Sequence, residues 1–260
     1  MVRLGERYGL HISLNFHAAP GYCINPKPEP FNLWQDQAAL DAFCWHWGLF
    51  AERYKGIPSE RLSFDLVNEP RVPSELGTRA DHERVVRAAV AAIRDRDPGR
   101  PIIADGIRVG QEPAPELADL GIAQSCRAYR PMGVSHWRAP WVKGSDEWPA
   151  PRWPQPASHP GGRYDRSDLE ALYAPWVELA KQGVGVHCGE GGAHENTPHD
   201  VFLAWFEDVL QILTPHNIGY ALWNFRGQFG ILDARRTDVA FEDWHGHQLD
   251  RQLLELLQKC

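Results

Sequence analysis

The chain has 260 residues and a formal charge of −7. That length suffices for one large α/β domain with a sizeable core, and the negative charge argues against nucleic acid as a ligand. No stretch is apolar for long enough to span a membrane, no signal peptide stands at Met1, and five cysteines without a CxxC pair imply no disulfide framework, so a cytoplasmic protein is the expectation.

The predicted elements alternate strand and helix, the pattern of a parallel sheet flanked by helices. A helix end covers residues 1–8, and the first strand, 10–16, runs into His17. A helix over 37–54 carries Leu40, Phe43, Cys44, Trp47 and Phe50 at helical spacing. The second strand, 62–67, closes on Asn68-Glu69-Pro70. A helix over 81–94 puts Val85, Val86, Ala89 and Ile93 on one face; strands at 101–104 and 122–126 follow. Residues 132–162 have no period and are rich in Pro, Gly and Trp. So long a loop is a lid or cleft wall in most compact domains, and Trp137, Trp141, Trp148 and Trp153 argue against disorder. Ser167 and Glu170 read as a capping box opening a helix to 182. The fifth strand, 184–188, leads through Gly189 into Glu190. Thr197, Pro198 and Asp200 open a helix burying Phe202, Trp205, Phe206, Val209 and Leu213. The sixth strand, 220–223, ends at Trp223, and a last helix spans 249–257. No linker or repeat interrupts the chain, so residues 1–260 read as a single domain.

Two strand ends therefore present Glu69 and Glu190, and two carboxyls delivered by parallel strands are the equipment for breaking a glycosidic bond. The 11 Trp, 7 Tyr and 10 Phe fill a core and also suit stacking on sugar faces. His245-Gly246-His247 lacks carboxylate or Cys partners and reads as a surface loop, not a metal site. Asp233 and Asp238 read as loop residues.

Several motifs together, in order, resemble glycoside hydrolase family 5, the cellulase-type retaining glycosidases on a (β/α)8 barrel. Leu14-Asn15-Phe16-His17-Ala18-Ala19-Pro20-Gly21-Tyr22 resembles the family's third-strand motif, Asn68-Glu69-Pro70 the fourth, Cys188-Gly189-Glu190-Gly191-Gly192 the seventh and Leu222-Trp223-Asn224-Phe225-Arg226-Gly227 the eighth. The resemblance implies that Glu69 is the acid/base and Glu190 the nucleophile. It also implies that Asn68 bonds the sugar 2-hydroxyl, that Trp223 floors the sugar, and that His17, Tyr129 and His136 are substrate-side residues. Trp137 and Trp141 are further candidates in the cleft wall. No metal or organic cofactor is implied.

Two departures stand out. In Ser125-Cys126-Arg127-Ala128-Tyr129 the tyrosine of the sixth-strand motif is kept, but Arg127 occupies the position of a histidine. A fixed cation there lowers nearby carboxyl pKa values and would oppose Glu69 as an acid. The chain also enters directly at the family's third strand, without the arginine that supports the nucleophile from the second. The fold expected is a TIM-type parallel β/α barrel reduced to about six strand-helix units. Its open edges lead to one of three outcomes: a cleft-like incomplete barrel, a homodimer covering both edges, or a chain whose upstream start carries an export signal, which would make the protein secreted. The function expected is retaining hydrolysis of a β-linked oligo- or polysaccharide, endoglucanase-like. The alternatives are a carbohydrate-binding protein with little turnover and a transglycosylase or exo-glycosidase on another sugar.

Overall fold

The structure is a computed structural model that describes residues 1–25 and 29–260. Among the described residues, six parallel strands follow one another in chain order: Ile12–Asn15, Leu62–Asp65, Ile102–Asp105, Ala123–Ala128, Val186–Gly191 and Gly219–Leu222. Helices Gln37–Tyr54, Arg79–Arg94, Arg166–Lys181, His199–Leu213 and Arg251–Lys259 come between or after them. This is the strand-helix succession of a TIM-type barrel, with six of its eight units. No helix among the described residues is long and apolar enough to cross a membrane. The chain divides into two compact units, residues 1–126 with 182–186, and residues 127–181 with 187–260.

In the first unit, the second and third strands are buried at every position, as befits parallel strands covered on both faces. Phe43 and Trp47 on one helix and Val85, Val86, Ala89 and Ile93 on the next pack with Leu62, Phe64 and Ile102 in one core. The helix Arg79–Arg94 starts with a capping box, Thr78 accepting from the Asp81 N–H while the Asp81 carboxylate takes the Thr78 N–H. The first strand pairs in register with the second, Ile12 with Leu62 through Asn15 with Asp65. That pairing carries the chain ends of both strands to the same level.

In the second unit, Phe202, Trp205, Phe206, Val209 and Leu213 are buried along one stripe of the helix His199–Leu213. Two expected caps are replaced. The Thr197 hydroxyl donates to the Val134 carbonyl instead of capping that helix, whose N-cap position is Pro198. Asp165, not Ser167, holds the start of the helix Arg166–Lys181: its carboxylate accepts from the Ser167 N–H and hydroxyl, while its own N–H goes to Asp168. Glu170 pairs with Arg166.

The fifth strand continues past the expected 184–188 and includes Glu190. It pairs with the sixth at Cys188–Tyr220 and again at Gly191–Leu222, so three steps on one strand match two on the other. The extra residue is a bulge at 189–190, a device that re-aims a side chain at a strand end. Gly191 is required there by close approach: a Cβ would stand 2.8 Å from the Ala128 Cβ and 3.6 Å from the Phe206 ring. Neither neighbour is a flexible chain end, so Gly191→Ala is expected to cost about 1–3 kcal/mol of overpacking. Guanidinium unfolding of the variant measures this, and an unchanged midpoint would show that the strand pair yields freely.

Candidate active site

In the first unit the site is built around Glu69. Asn68 is buried and Glu69 half-buried, with Leu66 and Val67 between them and the end of the second strand at Asp65. The Glu69 backbone is left-handed, φ 51°, a conformation that costs an ordinary residue free energy and survives only where the surroundings impose it. Here they do. Asp105 Oδ2, at the end of the third strand, accepts the Glu69 N–H at 2.8 Å, and the Tyr22 hydroxyl donates to the Glu69 carbonyl at 2.6 Å while accepting from the Arg71 N–H at 2.9 Å. Burial pushes the Tyr22 phenol well above its usual range, so it remains a donor. The Asn68 N–H reaches the Phe16 carbonyl at 3.1 Å, which ties this strand end to the first. His17 lies exposed one residue further on.

In the second unit the site is built around Glu190, whose side chain is 18% exposed. Arg127 and Tyr129 are two positions apart at the end of the fourth strand and so face the same way. They take different oxygens of the carboxylate: the Tyr129 hydroxyl donates to Oε2 at 3.1 Å, and Arg127 Nη2 lies 3.7 Å from Oε1. The second distance is an ion pair without a direct hydrogen bond. The guanidinium is buried, 4% exposed, so water screens it little. Tyr173 on the flanking helix donates to the Arg127 carbonyl at 3.2 Å, and the Cys188 thiol to the Glu190 carbonyl at 3.3 Å.

Around Tyr129 the tautomer of His136 follows from hydrogen counting. Ser135 Oγ–H donates to the Tyr129 carbonyl at 2.5 Å, which uses the only proton of that hydroxyl. The 2.8 Å contact between Ser135 Oγ and His136 Nδ1 is therefore a donation from Nδ1–H, and Nε2 is an acceptor. Burial, with the positive potential of His194 and Arg130, pushes the His136 pKa down to about 4, so the ring is neutral at pH 7.

His136 also belongs to a box of rings. It stands edge-on to Tyr129 at 5.0 Å and to Trp141 at 6.3 Å. Trp141 meets Trp223 at 5.7 Å and 74°, and buried Phe229 lies against Trp223 at 4.8 Å. Trp141 and Trp223 are 47% and 39% exposed, so two indoles at a steep angle offer a corner of apolar faces to solvent. Apolar corners of this kind suit the C–H faces of a sugar. Trp137 is tied elsewhere, its N–H on the Trp148 carbonyl at 3.0 Å and Arg138 over its ring at 4.5 Å.

Four residues of these two sites were assigned no role from the sequence. Tyr22 and Asp105 act on the Glu69 backbone. Phe229 supports Trp223, and buried His194 lies edge-on to Trp141 at 5.3 Å. His194 is held by a buried Arg236, which donates to the carbonyls of Thr197 at 2.6 Å, Ala193 at 2.8 Å and His194 at 3.3 Å. Burial lowers the Arg236 pKa to about 10, which leaves it charged. His245 and Gly246 turn a hairpin whose second strand opens at His247, with His247 Nδ1 on Asp233 at 2.9 Å.

Comparison with known proteins decides the family. A profile described as cellulase (glycosyl hydrolase family 5) matches residues 1–228. The chain belongs to glycosyl hydrolase family 5. As a member of that family it is an enzyme acting on O-glycosyl bonds, and its substrate is a carbohydrate. Endoglucanase C of Acetivibrio thermocellus is 24% identical over 266 aligned residues, covering 91% of this chain and 74% of the relative. A crystal structure described as a glycoside hydrolase is 43% identical, with TM-score 0.95, over 99% of this chain and 78% of the other. The endoglucanase Cel5A of Thermotoga maritima, 23% identical with TM-score 0.72 over 99% and 78% of the two chains, shares the fold. The family 5 resemblance read from strand-end motifs and the TIM-type expectation with six units are thus borne out.

Proposed function

We propose that this family 5 enzyme hydrolyses β-1,4-linked glucan internally and with retention, with residues 1–260 acting as one catalytic domain. The observation that carries the reading is the state of Glu190: a partly exposed carboxylate with a hydroxyl donor on one oxygen and a buried cation beside the other. A nucleophile needs to be both oriented and accessible. In the first step Glu190 attacks the anomeric carbon, the glycosidic bond breaks, and Glu69 gives its proton to the departing oxygen. In the second, water attacks the same carbon, its proton passes to Glu69, and the bond to Glu190 breaks.

The remaining residues take roles their settings support. Asn68 bonds the 2-hydroxyl, a contact that strengthens in the oxocarbenium-like state. Trp223, with Trp141 beside it, stacks on the sugar, and His136 Nε2 accepts from a hydroxyl. His17 and Tyr129 are further substrate-binding residues, and Trp137 stiffens the loop that bears Trp141. The glucan assignment rests on the endoglucanases among the relatives. Incubation with carboxymethylcellulose is expected to drop viscosity faster than reducing ends appear, and proton NMR of a cellooligosaccharide digest is expected to show the β-anomer first. An α-anomer first would overturn retention, and turnover on mannan or xylan alone would overturn the substrate.

A further inference from the structure

We propose that Arg127 is the charge partner of Glu190 in the second half of the reaction, where it eases departure of the carboxylate from the sugar. The proposal rests on the reading of Glu190 as nucleophile. Its ground is the division of labour at the carboxylate: Tyr129, a neutral donor, is at Oε2, and Arg127, a buried full charge, is 3.7 Å from Oε1. A cation this close acts differently on the two steps because the charge on Glu190 changes in opposite directions.

In the first step Glu190 begins as a full anion and loses charge as its oxygen bonds to the anomeric carbon. The Arg127 field stabilises the starting state more than the transition state and gives no acceleration. In the second step Glu190 begins as a neutral ester. As the water oxygen bonds to the anomeric carbon, the carbon–Oε pair returns to Glu190 and the water proton goes to Glu69, so negative charge develops beside a cation already in place. A preorganised charge that need not move is the form of stabilisation that lowers a barrier most.

The test uses 2,4-dinitrophenyl β-cellobioside, whose leaving group departs without a proton, so that the first step is fast. Arg127→Met is expected to show a burst of dinitrophenolate and a steady-state kcat about a hundredfold below the parent. KM is expected to fall with kcat, kcat/KM to stay within a few-fold, and the quenched protein to gain the mass of one cellobiosyl group. Arg127→Lys restores most of kcat. Arg127→Gln serves the same purpose if the Met variant does not fold. A raised KM with no burst and no adduct, in variants with native circular dichroism, overturns the proposal, because that is what loss of a merely structural arginine produces. Failure of the underlying reading looks different: a 2-fluoro-sugar adduct of the parent enzyme mapping to a residue other than Glu190 would remove the nucleophile itself. An adduct on Glu190 in the parent, with none accumulating in the Arg127 variants, overturns the role of Arg127 alone.

Discussion

Glu190→Gln is expected to lower kcat/KM by about 10⁴-fold or more on every substrate, whereas the loss in Glu69→Gln is expected to depend on the leaving group. The amide at 190 fills the same volume and keeps an oxygen for Tyr129 or Arg127, but it has no charge with which to form the glycosyl-enzyme, so the covalent route closes. Loss of a general acid costs about 10²–10⁴-fold when the departing oxygen needs its proton and little when it does not. On a cellooligosaccharide, Glu69→Gln should therefore be nearly inactive. On 2,4-dinitrophenyl β-cellobioside it should release one equivalent quickly and then stall, since water has lost its base. Glu190→Gln should release none. Stopped-flow absorbance with both variants reads this asymmetry, and a burst from Glu190→Gln with none from Glu69→Gln would exchange the two roles.

The six strands and the residues at their ends were legible because a parallel strand buried on both faces is a short apolar run, and function collects at its carboxyl end. Glu69, Glu190, Tyr129 and Trp223 could be placed in that way. The supporting groups could not. Tyr22 and Asp105 act on the backbone of Glu69, and a hydrogen bond to a peptide group leaves no mark on the partner's side chain. Arg127 stood out as a departure, but its target depended on the direction of one buried side chain, and it is found beside Glu190. The bulge that brings Glu190 into the fifth strand has no sequence signature beyond the neighbouring glycines. The two misplaced caps share a cause. Ser, Thr and Asp side chains choose among several nearby peptide groups, and the choice is made by tertiary packing: Val134 takes the Thr197 hydroxyl, and Asp165 is nearer than Ser167 to the free N–H groups.

Stability is expected to fall as pH drops from about 6.5 to about 4, through two buried histidines that the reaction does not titrate. His82 is fully buried in the first unit, against Trp34 at 5.8 Å, and its pKa is pushed down to about 4, chiefly by burial and then by the charge of Arg79. His136 is pushed down equally in the second unit, chiefly by burial. The sign follows from proton counting. Above the unfolded value near 6.5 neither state binds the proton, and no pH dependence arises. Between 6.5 and 4 the unfolded chain binds it and the native one does not, so the equilibrium moves toward unfolding as pH falls. Below 4 both are protonated and the full cost, about 3 kcal/mol per histidine, is in place. His194, also lowered by burial, acts in the same direction. The paired carboxylates Asp81, Asp233 and Glu242 have lowered values, and their contribution is lost only as pH falls below the ordinary carboxylate range, so the window above about 4.5 belongs to the histidines. Urea unfolding at half-unit intervals measures the slope. Removing one titrating group by His82→Leu should flatten it by up to one proton, about 1.4 kcal/mol per pH unit. A slope already flat in the parent between pH 6 and 4.5 would mean that both rings take up protons in the folded state.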